Sequence, residues 1–241
     1  PWPKSIRGGA GAFDSSSRLL DNIWRICANG VLCNSQENYV DCPTREKGQY
    51  FGDNTVIAHS HIYLTGDSTL ARKALEDTAI TRRFCPGLAT TGPCSAMHEI
   101  ADYSLQFPMQ LEREYLWGGD KDFLLRMLPV AEHVVKYFSR FENRDGLLES
   151  VTEKINLVDW PRNLRDEYDF VLDDKKTGLA RGMHNVINAF YIGALDTVSR
   201  LRAFVGQRPL DTASRKEAFV RAFRDPKTGL FVDAPGSKHS A

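Results

Sequence analysis

Three carboxylates lie within one short loop that contains a proline and a glycine and that runs into an apolar segment. They are Asp41, Glu46 and Asp53, with Arg45 and Tyr50 between them. Glycoside hydrolysis needs this equipment: one carboxylic acid kept protonated to donate to the leaving oxygen, and other carboxylates that bind hydroxyls or stabilise positive charge on the sugar ring. The spacing therefore predicts that residues 41–53 line one sugar-sized cleft.

Each of these carboxylates also has an ordinary structural interpretation. Glu46 is flanked by Arg45 and Lys47, which is typical of a solvated turn of mixed charge. Asp53 stands where an aspartate often caps a helix. The company of Asp41 favours the functional interpretation, because nearby like charges raise the pKa of a carboxyl and a general acid must hold its proton.

A second candidate lies in a long segment that has few regular apolar patterns. Segments of this kind in a compact domain usually build sites, so residues 81–99 and 143–183 are expected at the same rim as residues 41–53. Asp159 and Trp160 lie in the second segment, where an aromatic face suits stacking on a sugar with hydrogen bonds to its hydroxyls. The alternative is a tryptophan that only packs the segment down.

Composition and motifs argue against several other classes of function. With 31 basic and 31 acidic residues, the chain has no net charge to attract nucleic acid or an anionic membrane, and this balance suits a neutral partner such as a sugar. No phosphate-binding glycine loop and no nucleophile elbow occurs. His98 and Glu99 begin like a zinc motif that lacks its second histidine, so we assign no metal and no cofactor.

Apolar periodicity predicts an all-α chain. Leu19 to Val31 carry apolar residues at helical spacing, and the next helix is expected from near Asp53 to Gly66. The pattern Tyr-Leu followed by glycine and aspartate at residues 63–67 recurs at 115–120, and each time an apolar helical segment follows. This repetition indicates repeated helical hairpins. Two more helices are expected at 185–205 and 213–223. The sequence therefore predicts hairpins arranged in a ring or stack, with long loops gathered at one end.

The carboxylate loop also carries a resemblance to a known family. The run Asp-Cys-Pro-x-Arg-Glu that begins at Asp41, followed by Gly52 and Asp53, resembles the active-site loop of the bacterial α-L-rhamnosidases of glycoside hydrolase family 78. Further stretches resemble that family's barrel helices and hairpins, at residues 13–24, 102–105 and 119–120. The resemblance implies an (α/α)6 barrel of the six-hairpin glycosidase type.

The resemblance also implies a role for each residue of the loop. Glu46 would be the general acid that protonates the glycosidic oxygen, while Asp41 and Asp53 would bind the rhamnose hydroxyls and stabilise the transition state. Arg45 would help to hold them, and Tyr50 stands where a family aromatic walls the sugar. The commoner family pattern has Asp-Glu after the arginine and one more residue before Gly-Asp, so the assignment to Glu46 assumes a shorter loop.

Further expectations follow from the same resemblance. Asp159 and Trp160 resemble a sugar-contacting loop, and the partner would be a rhamnose-containing oligosaccharide or glycoside. The family is inverting, which requires a general base about 6.5–9.5 Å from the acid, and in the family that glutamate lies beyond the point that corresponds to residue 241. Residues 1–12 are rich in proline and glycine, which is typical of a linker, and in this family such a linker would come from an upstream β-domain. Residues 13–241 would be a partial catalytic domain that lacks its last helices and is inactive alone.

Two other functions stay open at this point. One is an (α/α)6 glycosidase with a different sugar specificity, because helical barrels of this kind host several specificities. The other is a non-catalytic carbohydrate-binding helical domain, in which the carboxylates of the loop only hold the fold together.

Overall fold

The computed structural model describes residues 11–90, 92, 99–156 and 182–236, and this part of the chain is predominantly α-helical. The helices are α1 Arg18–Asn34, α2 Phe51–Thr65, α3 Thr69–Ile80, α4 Ala101–Leu105, α5 Phe107–Gly118, α6 Lys121–Phe138, α7 Asn185–Phe204 and α8 Ala213–Phe223. Short 3-10 turns follow α3 and α6, at Thr81–Arg83 and Ser139–Phe141. None of the helices described here is long and apolar enough to cross a bilayer. The all-α prediction is confirmed.

Glycines and an aspartate set the helix boundaries at two hairpins. Gly66 ends α2 and Gly119 ends α5, each in the left-handed conformation with φ of 75° and 67°, which glycine adopts without steric cost. Asp120 then begins α6, because its side chain accepts a hydrogen bond from the backbone N–H of Phe123 at 2.9 Å. The repeated glycine and aspartate pattern predicted from the sequence therefore corresponds to turns between helices in the structure.

The helices pack as successive hairpins around a continuous apolar core. Helix α2 contacts α1 and α3, α5 packs on α6, and α7 lies against α4, α5 and α6 before it contacts α8. The residues with no exposed surface at the centre of this core are Leu105, Phe107, Leu111, Leu124, Ala131, Val134, Phe138, Tyr191, Val198 and Leu201. The burial of these side chains fixes α4 to α7 as the scaffold against which the carboxylate loop rests.

An arginine ties two hairpins together at one end. The Arg72 guanidinium on α3 contacts Glu114 at 2.5 Å and Asp120 at 2.7 Å, and it lies 5.1 Å from the centre of the Phe123 ring. Glu114 is almost fully buried, and the contact of one of its oxygens with Arg72 offsets only part of its desolvation, since burial raises the pKa of this carboxyl. This network links α3 with the turn between α5 and α6.

Helix α1 forms as its periodicity predicts, but it buries none of its residues within the described part of the chain. Several of its large apolar residues are exposed, including Leu19 and Ile26 at 68% and 72%, whereas Trp24 and Val31 are half-buried. The helix contacts α2. Its C-terminal end leads through an isolated bridge between Ser35 and Tyr39 into the carboxylate loop.

Candidate active site

The first part of the carboxylate loop is a turn whose two ends are joined by hydrogen bonds. Asp41 accepts a hydrogen bond from the backbone N–H of Gly48 at 2.9 Å, and its own N–H donates to the Gly48 carbonyl at 3.0 Å. Between these two residues, the backbone N–H of Glu46 donates to the Cys42 sulfur at 3.3 Å, and Lys47 has a left-handed φ of 51°. We call residues 42–47 the outer turn, which is solvent-exposed from Pro43 onward.

The second part of the loop is anchored in the protein interior. Gln49, of which 1% is exposed, donates from its amide to the carbonyl of Gly92 at 2.6 Å and to the Asp77 carboxylate at 3.2 Å. The N–H of Phe51 donates to the carbonyl of Thr90 at 2.8 Å. We call residues 48–54 the anchor segment. Its contacts with residues 90 and 92 confirm that this part of the segment 81–99 reaches the same rim.

Phe51 joins the anchor segment to the core. Its side chain has no exposed surface and stacks on Phe107 with ring centres 5.7 Å apart. The Gln110 amide donates to the Phe51 carbonyl at 2.8 Å and to the Thr55 hydroxyl at 2.7 Å. The start of α2 is therefore fixed both by apolar packing and by a buried amide from α5.

Asp53 lies in the first turn of α2 and is held by a tyrosine from α4. The Tyr103 hydroxyl donates to an Asp53 carboxylate oxygen at 3.2 Å. A Cβ at Gly52 would collide with the Tyr103 ring, so glycine at this position lets the ring approach the helix. Helix α2 begins at Phe51 with Tyr50 as the N-cap residue, so Asp53 is not the helix cap that the sequence also allowed.

The surroundings move the pKa values of the two aspartates in opposite directions. Burial raises the pKa of Asp53, the charges of Asp41 and Glu46 raise it further, and the hydrogen bond from Tyr103 opposes this rise. At Asp41, partial burial acts upward, but hydrogen bonds from Cys42, Gly48 and Glu46 outweigh it and lower the pKa of this carboxyl. The structure thus brings Asp41, Glu46 and Asp53 within electrostatic reach of one another.

Glu46 stands between a carboxyl and a guanidinium. Its side chain lies close enough to Asp41 to contribute to the lowered pKa of that aspartate. Arg45 contacts a Glu46 carboxylate oxygen at 2.5 Å, with 80% of the arginine and 38% of the glutamate side chain exposed. Tyr50, half-buried, lies between the outer turn and α2. Arg45 and Glu46 are therefore in contact, and Asp41 and Asp53 lie within electrostatic reach of Glu46, whereas Asp159 and Trp160 lie outside the described residues.

Two residues of the site were not among the sequence candidates. Tyr103 was noted only as part of a family-like helix, and Gln49 was not singled out at all. Tyr103 follows Asp53 by fifty positions, so no local pattern joins them. The one available signal was Gly52, because a glycine inside a predicted helix start indicates a close approach by another group.

A family model matches most of the chain. It describes the bacterial alpha-L-rhamnosidase six-hairpin glycosidase domain and matches residues 9–227. The match covers the carboxylate loop and all the helices described above. No curated protein sequence matches the chain.

Solved structures show the same fold at low sequence identity. A GH78 family rhamnosidase of Bacillus sp. GL1 matches with a TM-score of 0.75 and 20% identity, over 94% of this chain and 22% of that protein. A rhamnosidase from Klebsiella oxytoca with rhamnose bound matches with a TM-score of 0.71 and 18% identity, over 98% of this chain and 44% of that protein. The Streptomyces avermitilis alpha-L-rhamnosidase complexed with L-rhamnose matches with a TM-score of 0.66 and 17% identity, over 91% of this chain and 20% of that protein. The chain thus spans less than half the length of each of these proteins.

Proposed function

The chain belongs to the family of bacterial α-L-rhamnosidase six-hairpin glycosidase domains, and from this premise we propose that the whole protein releases terminal α-L-rhamnose from rhamnosides by an inverting mechanism. The observation that carries this proposal is the adjacency of Asp41, Glu46 and Asp53 on one anchored loop. Two carboxyl groups across a glycosidic bond are what this hydrolysis requires.

Glu46 is the general acid in this proposal. It donates its proton to the glycosidic oxygen as the bond to the anomeric carbon breaks, and water attacks that carbon from the opposite face. Asp41 supports the assignment by its position, because it lies on the same turn as Glu46 and its lowered pKa keeps it ionised and able to accept hydrogen bonds from the sugar. Arg45 leaves Glu46 when sugar binds and contacts the sugar hydroxyls instead.

The other residues of the loop bind and orient the sugar. Asp53, fixed by Tyr103, and Asp41 accept hydrogen bonds from rhamnose hydroxyls and stabilise positive charge on the ring. Tyr50 forms an apolar wall. The base that takes the proton from water belongs to another segment of the whole protein, and Asp159 with Trp160 would add a second sugar contact.

Asp53 is the rival for the acid role, because burial and neighbouring charges raise its pKa. The two assignments differ in how activity depends on the leaving group. A variant without the acid loses most on substrates whose leaving group needs protonation and much less on activated aryl glycosides. A variant without a binding residue loses activity on both.

The test measures kcat/KM of the whole protein on p-nitrophenyl α-L-rhamnoside and on a natural rhamnoside. Glu46→Gln should lose about 100-fold or more on the natural substrate and clearly less on the aryl glycoside, whereas Asp53→Asn should lose on both. Glu217→Gln, at an exposed glutamate on α8 outside the segments expected at the site, is the matched control. The inverse pattern would transfer the acid role to Asp53.

Other outcomes would favour the alternatives. A folded whole protein that is inactive on rhamnosides but hydrolyses another aryl glycoside would be a six-hairpin glycosidase of different specificity. A protein whose sugar binding is unchanged by Glu46→Gln, and which hydrolyses nothing, would be a carbohydrate-binding domain. The 241-residue chain alone is expected to be inactive, because it spans less than half of the rhamnosidases that it resembles.

A further inference from the structure

An open cavity lies between the end of α3 and the middle of α6, separate from the carboxylate loop. Its volume is about 310 Å³, near the lower end of the volumes of small-molecule sites. Arginines, a glutamate and apolar side chains line it, including Glu76, Ile80, Arg82, Arg83, Arg126 and Met127. None of the residues assigned to the sugar site borders this cavity.

Two of the arginines have no anionic partner in the part of the chain that the structure describes. Arg82 and Arg83 form the 3-10 turn after α3 together with Thr81, and both arginines are solvent-exposed. Neither makes a hydrogen bond or an ion pair with another described residue. Since both border the cavity, their N–H donors are available to a molecule that binds there.

The third arginine, Arg126 on α6, is held near the cavity by an aromatic ring and a carboxylate. Its guanidinium carbon lies 5.3 Å from the centre of the Phe123 ring, and one of its nitrogens lies 3.6 Å from a Glu76 carboxylate oxygen. The side chains of this ion pair are 59% and 49% exposed, so the pair is solvated and weak. Arg126 can therefore contact a bound anion while it stays close to Glu76.

Positive charge exceeds negative charge on the wall of this cavity, which carries three arginines and one glutamate. The excess extends to the next residues of α6, because burial and then the charges of Arg82 and Lys136 lower the pKa of His133. The local field is therefore positive, although the chain as a whole has no net charge. Such a field favours an anionic ligand.

The other residues of the wall indicate which anion fits. Guanidinium groups pair with carboxylates and with phosphates through parallel N–H donors. Ile80, Met127 and Val130 make part of the wall apolar, which suits a ligand with a carbon body better than inorganic phosphate. Glu76 repels a doubly charged anion more strongly than a singly charged one, and its oxygens accept hydrogen bonds from hydroxyl groups.

We propose that this cavity binds a singly charged sugar acid. The carboxylate of the ligand contacts Arg82 and Arg83, and one of its hydroxyl groups donates to Glu76. Ile80 and Met127 contact the carbon face of its ring. The site is separate from the proposed rhamnose site, and the proposal does not depend on the rhamnosidase activity.

The test measures ligand binding to the whole protein by isothermal titration calorimetry at constant ionic strength. L-rhamnose is present in excess in every titration, so that the proposed rhamnose site does not contribute. D-glucuronate should bind saturably, whereas D-glucose, which has a hydroxymethyl group in place of the carboxylate, should not. Acetate, which has the carboxylate but no hydroxyl groups, should bind more weakly than D-glucuronate.

Arginine variants locate the binding site. Arg82→Gln and Arg83→Gln should each weaken D-glucuronate binding about tenfold or more, and neither change removes a buried side chain. Arg208→Gln, at an exposed arginine between α7 and α8, is the control and should leave binding unchanged.

Three results would overturn the proposal. The first is D-glucuronate binding of equal strength in all three variants, or equal binding of D-glucose. The second is inorganic phosphate that binds more tightly than D-glucuronate, which would make the ligand a phosphate. The third is binding of a polyglutamate peptide but of neither small anion, which would make this surface a protein interface.

Discussion

The outer turn and the anchor segment are neighbouring halves of one loop, yet they are built by opposite means. The outer turn carries Arg45 and Glu46 as an exposed ion pair and is closed by hydrogen bonds between Asp41 and Gly48. The anchor segment carries Gln49 and Phe51 almost without exposed surface. The chain thus places the proposed general acid on a solvated turn and fixes that turn through Gln49 and Phe51, which have no role in the proposed chemistry.

In the proposed site, the anchor segment holds the loop in position, and the outer turn carries the proposed general acid. An exposed ion pair contributes little to stability, usually less than about 1 kcal/mol, so Glu46 is free to exchange Arg45 for a substrate. Buried contacts are costly to lose, so the anchor segment keeps the turn in place while its side chains rearrange. Variants in the two halves should therefore affect different quantities.

The largest expected effect is on stability, at Phe51. Phe51→Ala should lower the free energy of unfolding by about 3–5 kcal/mol, because it removes a fully buried ring that stacks on Phe107. Urea unfolding measures this loss. Phe84→Ala, at a phenylalanine that is 60% exposed, is the control and should change stability by much less. Equal losses in the two variants would show that the anchor segment is not part of the core.

A smaller effect is expected at the buried amide. Gln49→Leu keeps much of the side-chain volume but leaves the Gly92 carbonyl without its donor, which should cost about 1–3 kcal/mol. Arg45→Ala in the outer turn should cost less than about 1 kcal/mol. Urea unfolding of both variants, with the exposed Gln207→Leu as control, shows which half of the loop contributes more to the free energy of unfolding. A larger loss at Arg45 would reverse the comparison.

The smallest effect concerns pH. The raised pKa of Asp53 means that its stabilising contribution is present below the ordinary aspartate value of 3.8 and is lost as pH rises through the raised pKa. The lowered pKa of Asp41 has the opposite consequence: its contribution is present above 3.8 and is lost as pH falls through the lowered pKa.

Unfolding free energies of the wild type, Asp53→Asn and Asp41→Asn across this pH range measure both effects. The stability difference between wild type and Asp53→Asn should fall as pH rises, and the difference for Asp41→Asn should grow. Slopes of the same sign for both variants would contradict the electrostatic arrangement of the site.

Much of the fold was predictable because it depends on local chemistry. Gly66 and Gly119 stop helices by conformational preference, and Asp120 starts one by capping. The burial of α1 was not predictable in this way. Its apolar face is typical of a core helix, yet none of its residues is buried within the described part of the chain. Periodicity states which residues share a face and not what covers that face.

The sequence by itself determined the loop motif, the helical hairpins and the family, because these depend on residue types at fixed separations along the chain. Only the tertiary structure decided that Tyr103 holds Asp53 and that Gln49 reaches Gly92 and Asp77. Those partners come from different elements, many of them tens of residues apart. Their meeting follows from how the hairpins pack and from which groups that packing removes from water.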